Sequence, residues 1–164
     1  MKSEDWYGVA IKATPLHYCE NLEDALPFLA NGYKGDEPCD GINPAIHSVD
    51  NIQLLEAFLK HGANPNAGLP QVSPLYTHTE PEFLKLLIEY GADVNSRDRF
   101  GRTPVHCCTS LESLKLLIAN GATPNVLDGD GESPEDNFLD NDEGKAMKAY
   151  LKTVIMGNIN MGHP

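Results

Sequence analysis

The stretch Asp98-Arg-Phe-Gly-Arg-Thr-Pro-Val-His-Cys-Cys-Thr-Ser-Leu-Glu-Ser-Leu-Lys-Leu-Leu-Ile-Ala-Asn-Gly-Ala-Thr-Pro-Asn125 decides the fold. Thr103 stands before Pro104, a pairing that starts a helix. The hydroxyl accepts from orphan main-chain N–H groups, and proline takes the first helical position, where no donor is needed. Ser110 is placed to cap a second helix. Leu114, Leu116, Leu117 and Ile118 make that helix apolar on more than one side, so neighbours must cover it. Gly121 stands where a helix closes in the left-handed conformation. The unit is helix, tight turn, helix, glycine stop, extended loop.

The unit recurs. Ser73-Pro74 lies thirty positions before Thr103-Pro104, and Ser133-Pro134 thirty after. Leu84-Lys85-Leu86-Leu87-Ile88 returns as Leu114-Lys115-Leu116-Leu117-Ile118, and Gly91-Ala92 as Gly121-Ala122. A fixed period of this size is the mark of a solenoid. Asp98-x-x-Gly101-x-Thr103-Pro104-Val105-His106, closed by Gly121-Ala122-x-x-Asn125, resembles the ankyrin repeat. Thr14-Pro15-Leu16-His17 matches that family's central tetrapeptide outright. The resemblance implies an all-α solenoid of stacked helix-turn-helix units with loop or hairpin fingers. It also implies protein binding on the concave face.

Residues 1–156 are expected to form one domain, with repeats at about 10–40, 41–69, 70–97 and 98–127, a C-terminal cap over 128–156 and a loose tail over 157–164. Asn21 is placed to cap the long helix of the first repeat, and Pro27 should kink that helix or cost it a hydrogen bond. Asp50 or Asn51 caps the second. Thr79-Glu80-Pro81-Glu82 reads as a capping box with threonine as the cap. From proline to closing glycine the repeats span 17 or 18 positions, as in Pro104 to Gly121 and Pro44 to Gly62. The ankyrin consensus is about three residues longer there. A shortened first helix or a tighter turn is the expected consequence.

Composition bounds the function. The chain has 164 residues and a formal net charge of -12, which argues against a nucleic-acid partner, because neutralising phosphates needs excess Lys and Arg. It favours attraction to a basic protein. No apolar run reaches membrane-spanning length, and the start lacks a secretory signal. Cys19, Cys39, Cys107 and Cys108 show no CxxC spacing, so free thiols in a cytoplasmic chain are expected.

Chemistry is sparse. His17-Tyr18-Cys19 and His106-Cys107-Cys108 contain residue types suited to metal binding or nucleophilic catalysis. Both histidines instead hold the fourth place of the repeat's tetrapeptide, where the resemblance implies packing and hydrogen bonding. The two clusters lie three repeats apart. Asp128-Gly129-Asp130-Gly131-Glu132 begins like a calcium loop, but Ser133 and Leu139 stand where glycine and glutamate are required. No nucleotide-binding or hydrolase motif occurs. No catalytic residue, cofactor or metal is therefore assigned, and the chain is expected not to be an enzyme.

What remains is surface. Mapped on the resemblance, first-helix positions facing the concave side are Tyr18 and Glu20, His47 and Val49, Thr77 and Thr79, Cys107 and Thr109. The fingers present Asp36, Glu37 and Asp40, then Leu69 and Gln71, then Arg97, Arg99, Phe100 and Arg102, then Asp128, Asp130 and Glu132. The partner-binding set is Tyr18, Asp36, Glu37, Asp40, Arg97, Arg99, Phe100, Arg102, Asp128, Asp130 and Glu132. Phe100 among arginines has the character of an interface anchor. Between Asp128 and Glu143 there are eight acidic residues and no basic one, a surface suited to a basic protein. The expected role is an interaction module, monomeric alone, that inhibits a basic partner in the manner of an immunity protein or antitoxin. The alternative is a scaffold, adaptor or host-directed effector.

Overall fold

The computed structural model describes residues 14–37, 43–68 and 72–161. Nine-residue helices α1 (Leu22–Ala30), α2 (Ile52–Lys60) and α3 (Pro81–Glu89) are each preceded by a single 3-10 turn, at Pro15–Tyr18, Ala45–His47 and Pro74–Tyr76. The next unit pairs α4 (Pro104–Cys107) with α5 (Leu111–Ala119). A last turn at Pro134–Asn137 leads to α6 (Asp142–Met161). No strand forms among the described residues, and the architecture is an all-α solenoid. The expected shortening falls on the first helix of each unit, which is one turn long. Among the described residues the fingers are turns rather than paired strands.

Each long helix starts and stops for local reasons. Asn21 Oδ1 accepts from the Asp24 N–H, Asn51 Oδ1 from Gln53 and Leu54, and Ser110 Oγ from Ser113. The third repeat departs from expectation. Glu80, not Thr79, is the residue before α3, because Pro81 occupies the first helical position. The Thr79 carbonyl instead receives the buried Ser113 hydroxyl at 2.6 Å, which joins the third unit to the fourth. Pro27 does not shorten α1, which runs through it at the same length as its neighbours.

The helix ends repeat one motif. At α5, Gly121 takes φ +89°, its N–H donates to the Ile118 carbonyl, and the Ala122 N–H donates back to Leu117. This left-handed closure satisfies carbonyls that the helix leaves unpaired. The ends of α1, α2 and α3 close the same way. The cap helix α6 runs past position 156 to Met161, so residues 157–161 are helical rather than a loose tail, and 162–164 lie outside the described residues.

The long helices pack in sequence: α1 on α2, α2 on α3, α3 on α5, and α5 on α6. The facing positions repeat three residues apart within each helix. Leu55 and Phe58, Leu84 and Leu87, and Leu114 and Leu117 are all essentially inaccessible to solvent. One core therefore runs the length of the stack. Asparagines stitch its margin. Asn66 donates to the Gly91 carbonyl and accepts from the Asp93 N–H, and Asn95 does the same one unit on with Gly121 and Thr123.

Histidines join the short turns to this core. The Thr103 main-chain N–H donates to His106 Nδ1 at 3.0 Å, which makes that nitrogen the acceptor. His78 Nε2 bonds the Ile46 carbonyl at 2.8 Å, and its ring stacks on Phe83. Burial, before any other cause, pushes the pKa of His47, His78 and His106 down. The unfolded chain therefore takes up protons at a higher pH than the folded one does. Their contribution is complete above the unfolded value of about 6.5 and is lost as pH falls through it toward the folded values. The urea midpoint should decline steadily as pH is lowered from about 7.5 to about 5. A midpoint that holds constant or rises over that range would contradict the neutral, buried state of these rings.

Candidate protein-binding face

The finger of the fourth unit is built around Asp98, which is only 8% exposed. Its Oδ1 accepts from the main-chain N–H groups of Phe100 and Arg102, both at 2.9 Å. Its Oδ2 is gripped by Arg102 through Nε at 2.8 Å and Nη2 at 2.7 Å. One carboxylate thus closes the turn and clamps a guanidinium, and that hydrogen bond raises the Arg102 pKa further. Arg97 is occupied too: it donates to the carbonyls of Gly101 and Leu127. Tyr76 supports the finger from below, its hydroxyl lying 2.7 Å from the Ser96 carbonyl and 2.9 Å from that of Arg102. Burial pushes the Tyr76 hydroxyl up to about 12, so it stays a donor at neutral pH.

Phe100 stands at the tip, 49% exposed. The Arg99 guanidinium lies 4.7 Å from its ring centre and that of Arg102 5.0 Å, within the range of cation–π attraction. The ring is held by two cations rather than tucked beneath the loop. The Gly129 N–H donates to the Phe100 carbonyl at 2.8 Å, which seats the last finger against this one.

The last finger repeats the design. Asp128 Oδ1 accepts from the N–H groups of Asp130 and Glu132, and those bonds, Glu132 first, hold its pKa down. Further along, Asp136 caps Ser133 through both its hydroxyl and its N–H, and Glu143 accepts from the Leu111 N–H. Part of the acidic run is therefore structural. The Asp130 and Glu132 side chains differ: they are exposed, and neither makes a hydrogen bond or ion pair among the described residues.

The structure brings Arg97, Arg99, Phe100, Arg102, Asp128, Asp130 and Glu132 together on adjacent fingers. Tyr18, 73% exposed, belongs to the first unit. Asp36 and Glu37 also lie there, and both are engaged in main-chain hydrogen bonds, Asp36 across to the second unit and Glu37 locally. Asp36 accepts from the Asn64 N–H, and Glu37 from the N–H groups of Lys34 and Gly35. Asp40, with Leu69, Gln71 and Cys39, lies outside the described residues. Two of the mapped concave positions are instead buried: His47 and Val49 are each only 6% exposed, and His47 Nε2 is bonded to the Ala67 carbonyl at 2.6 Å. Asp98 and Tyr76 were not among the expected site residues, although both organise the site. Asp98 carried a signal in its repeat at Asp128.

Cys19, Cys107 and Cys108 are free thiols, and burial pushes Cys108 up to about 12, far from a reactive thiolate. Among the described residues, no group of three or more His, Cys, Asp or Glu side chains is placed to hold a metal ion. No helix among them is long and apolar enough to cross a membrane.

Comparison with known proteins agrees with this geometry. A family model described as "Ankyrin repeats (many copies)" matches residues 78–110, and one described as "Ankyrin repeat" matches 100–129. Ankyrin repeat protein OPG189 of variola virus is 36% identical over 121 residues, covering 63% of this chain and 21% of that protein. The vaccinia virus (strain Western Reserve) protein of the same name is 36% identical over 64 residues, covering 37% of this chain and 12% of its own length. That of monkeypox virus is 38% identical over 64 residues, covering 37% and 11%. The chain spans about a fifth or less of the curated relatives it matches. Such repeats are in general protein-interaction modules rather than catalysts. With its repeating turn-and-helix units, left-handed glycine stops and projecting fingers, the chain belongs to the ankyrin-repeat proteins.

Proposed function

We propose that the chain is a non-catalytic inhibitor that binds a basic protein across its last two fingers. The carrying observation is a half-exposed Phe100 in contact with two guanidinia, beside a finger whose Asp130 and Glu132 side chains are unengaged. Aromatic anchors of this kind supply dwell time, and rim charges supply encounter rate. The net charge of -12 draws a basic partner toward any part of the molecule. Asp130 and Glu132 would give that attraction a direction. An immunity protein or antitoxin is one form of such an inhibitor, acting by occupying the partner's surface. The free thiols suit a reducing, cytoplasmic setting.

A second reading has its own support. The relatives are viral proteins, and a module of this design in a virus would be directed at a host protein as an effector or adaptor. The partner's origin separates the two. The binding surface is the same in both.

Affinity capture followed by surface plasmon resonance tests the proposal. With the captured partner, Asp130→Asn combined with Glu132→Gln should slow association at low salt and change little at high salt. Phe100→Ala should speed dissociation at both ionic strengths, by about tenfold or more if it is an anchor. Asp128 is a poor choice for this test, because its carboxylate closes the finger. Unchanged rates in both variants would place the interface elsewhere.

A further inference from the structure

The three finger arginines are not equivalent. Arg102 is neutralised by the buried Asp98 carboxylate, and Arg97 is committed to two main-chain carbonyls. Arg99 differs: its guanidinium rests on the Phe100 ring, and no carboxylate lies within ion-pair distance of it among the described residues. A guanidinium carries its N–H groups in its own plane, and contact with a ring leaves them without a charged partner. That is the geometry that takes a carboxylate through two parallel hydrogen bonds. The stack is also preorganised, because Asp98 fixes Arg102, and Arg102 and Arg99 together fix the ring. One finger over, Asp130 and Glu132 present the opposite charge. The main-chain bond from Gly129 to Phe100 makes the two subsites immediate neighbours.

We propose that the partner segment seated here carries both signs of charge. An aspartate or glutamate side chain pairs with Arg99 over the Phe100 ring, and a neighbouring lysine or arginine engages Asp130 and Glu132. The inference rests on the finger-face reading above and sharpens it. A partner that is basic overall must present one acidic residue at this point. Charge complementarity then fixes the register of the segment as well as its attraction. A partner carrying only positive charge would meet Arg99 with repulsion.

The test exploits a sign. Against a protein of net charge -12, adding a glutamate to a basic peptide should weaken binding on overall charge alone. The probes are a synthetic dodecapeptide of lysines, leucines and glutamines, and a panel in which each glutamine in turn is replaced by glutamate. Amide and arginine side-chain NMR shifts of the full chain report affinity and place. At one position or more, glutamate should tighten binding about two- to fivefold, the range of an exposed ion pair. Shifts should concentrate at Arg99, Phe100, Asp130 and Glu132. Arg99→Gln should abolish that gain, so that in the variant glutamate weakens binding at every position relative to the parent peptide. Arg99 is exposed and makes no ion pair among the described residues, so the variant should fold normally, which circular dichroism checks. If the parent peptide binds at residues 128–132 and every glutamate weakens it, the mixed-charge inference is overturned while the finger-face reading stands. If neither parent nor panel perturbs the two fingers, both fall.

Discussion

Leu117→Ala should destabilise the fold by about 2–5 kcal/mol, the range for large aliphatic core residues cut to alanine. Leu117 is fully buried. It lies in α5, which packs on α3 on one side and α6 on the other. It also accepts, through its carbonyl, the Ala122 N–H that closes the helix. A cavity here has rigid walls on both sides, because the neighbouring helices are pinned by Ser113, Asn95 and the glycine closures. Collapse to fill it would break the stack's register, so the upper half of the range is expected. Because each unit contacts only its neighbours, the damage should spread to the unit before and the cap after it. A urea titration checks this. A midpoint indistinguishable from the parent's would show that this part of the core is not packed as described.

Gly35→Ala should cost a similar amount, about 2–5 kcal/mol, by a different route. Gly35 has φ +92°, a region that alanine enters only with strain. A β-carbon there would also sit 2.5 Å from Cδ2 of Phe58, a ring with no exposed surface and no room to turn. Overfilling a packed core costs about 1–3 kcal/mol, and the backbone term adds about 1–2 kcal/mol. Gly35 further accepts from the Ile46 N–H, so a shift in it would move the second unit's turn. Gly62→Ala is the control. Its φ is +85°, but a β-carbon there meets only Lys34 Nζ, at 3.9 Å. It should cost only the backbone share, and the difference between the two variants measures the ring contact. Equal costs would refute that contact.

The two positions show what was legible in the sequence. Leu117 could be read from the apolar run and its recurrence at thirty residues, because a stack buries the same side of every unit. The role of Gly35 could not. It lies in the irregular connection after the first unit, and its neighbour Phe58 is far off in the chain. Helix ends were readable for the same reason as the core: glycine stops and small polar caps act through main-chain bonds close in sequence. Thr79 was misplaced because two local signals competed, and proline at the first helical position prevailed over the capping box. His47 and Val49 were misplaced because repeat position alone does not set burial: Thr77, at the position equivalent to His47, is exposed, whereas the His47 ring turns inward to the Ala67 carbonyl. In the site, the arginines and Phe100 were visible as residue types. Which arginine remains unpaired depends on Asp98 and on the Leu127 carbonyl thirty residues on from Arg97, and only folding sets those contacts.

The central claim is that the last two fingers form the partner-binding face. Hydrogen exchange of the full chain, free and with the captured partner, tests it most directly. Slowed exchange should concentrate at the main-chain N–H groups of residues 97–102 and 127–132. Protection centred instead on the groove between α2 and α3, lined by Ile52, Glu56, Glu82 and Leu86, or on the first-unit loop at 33–37, would contradict it.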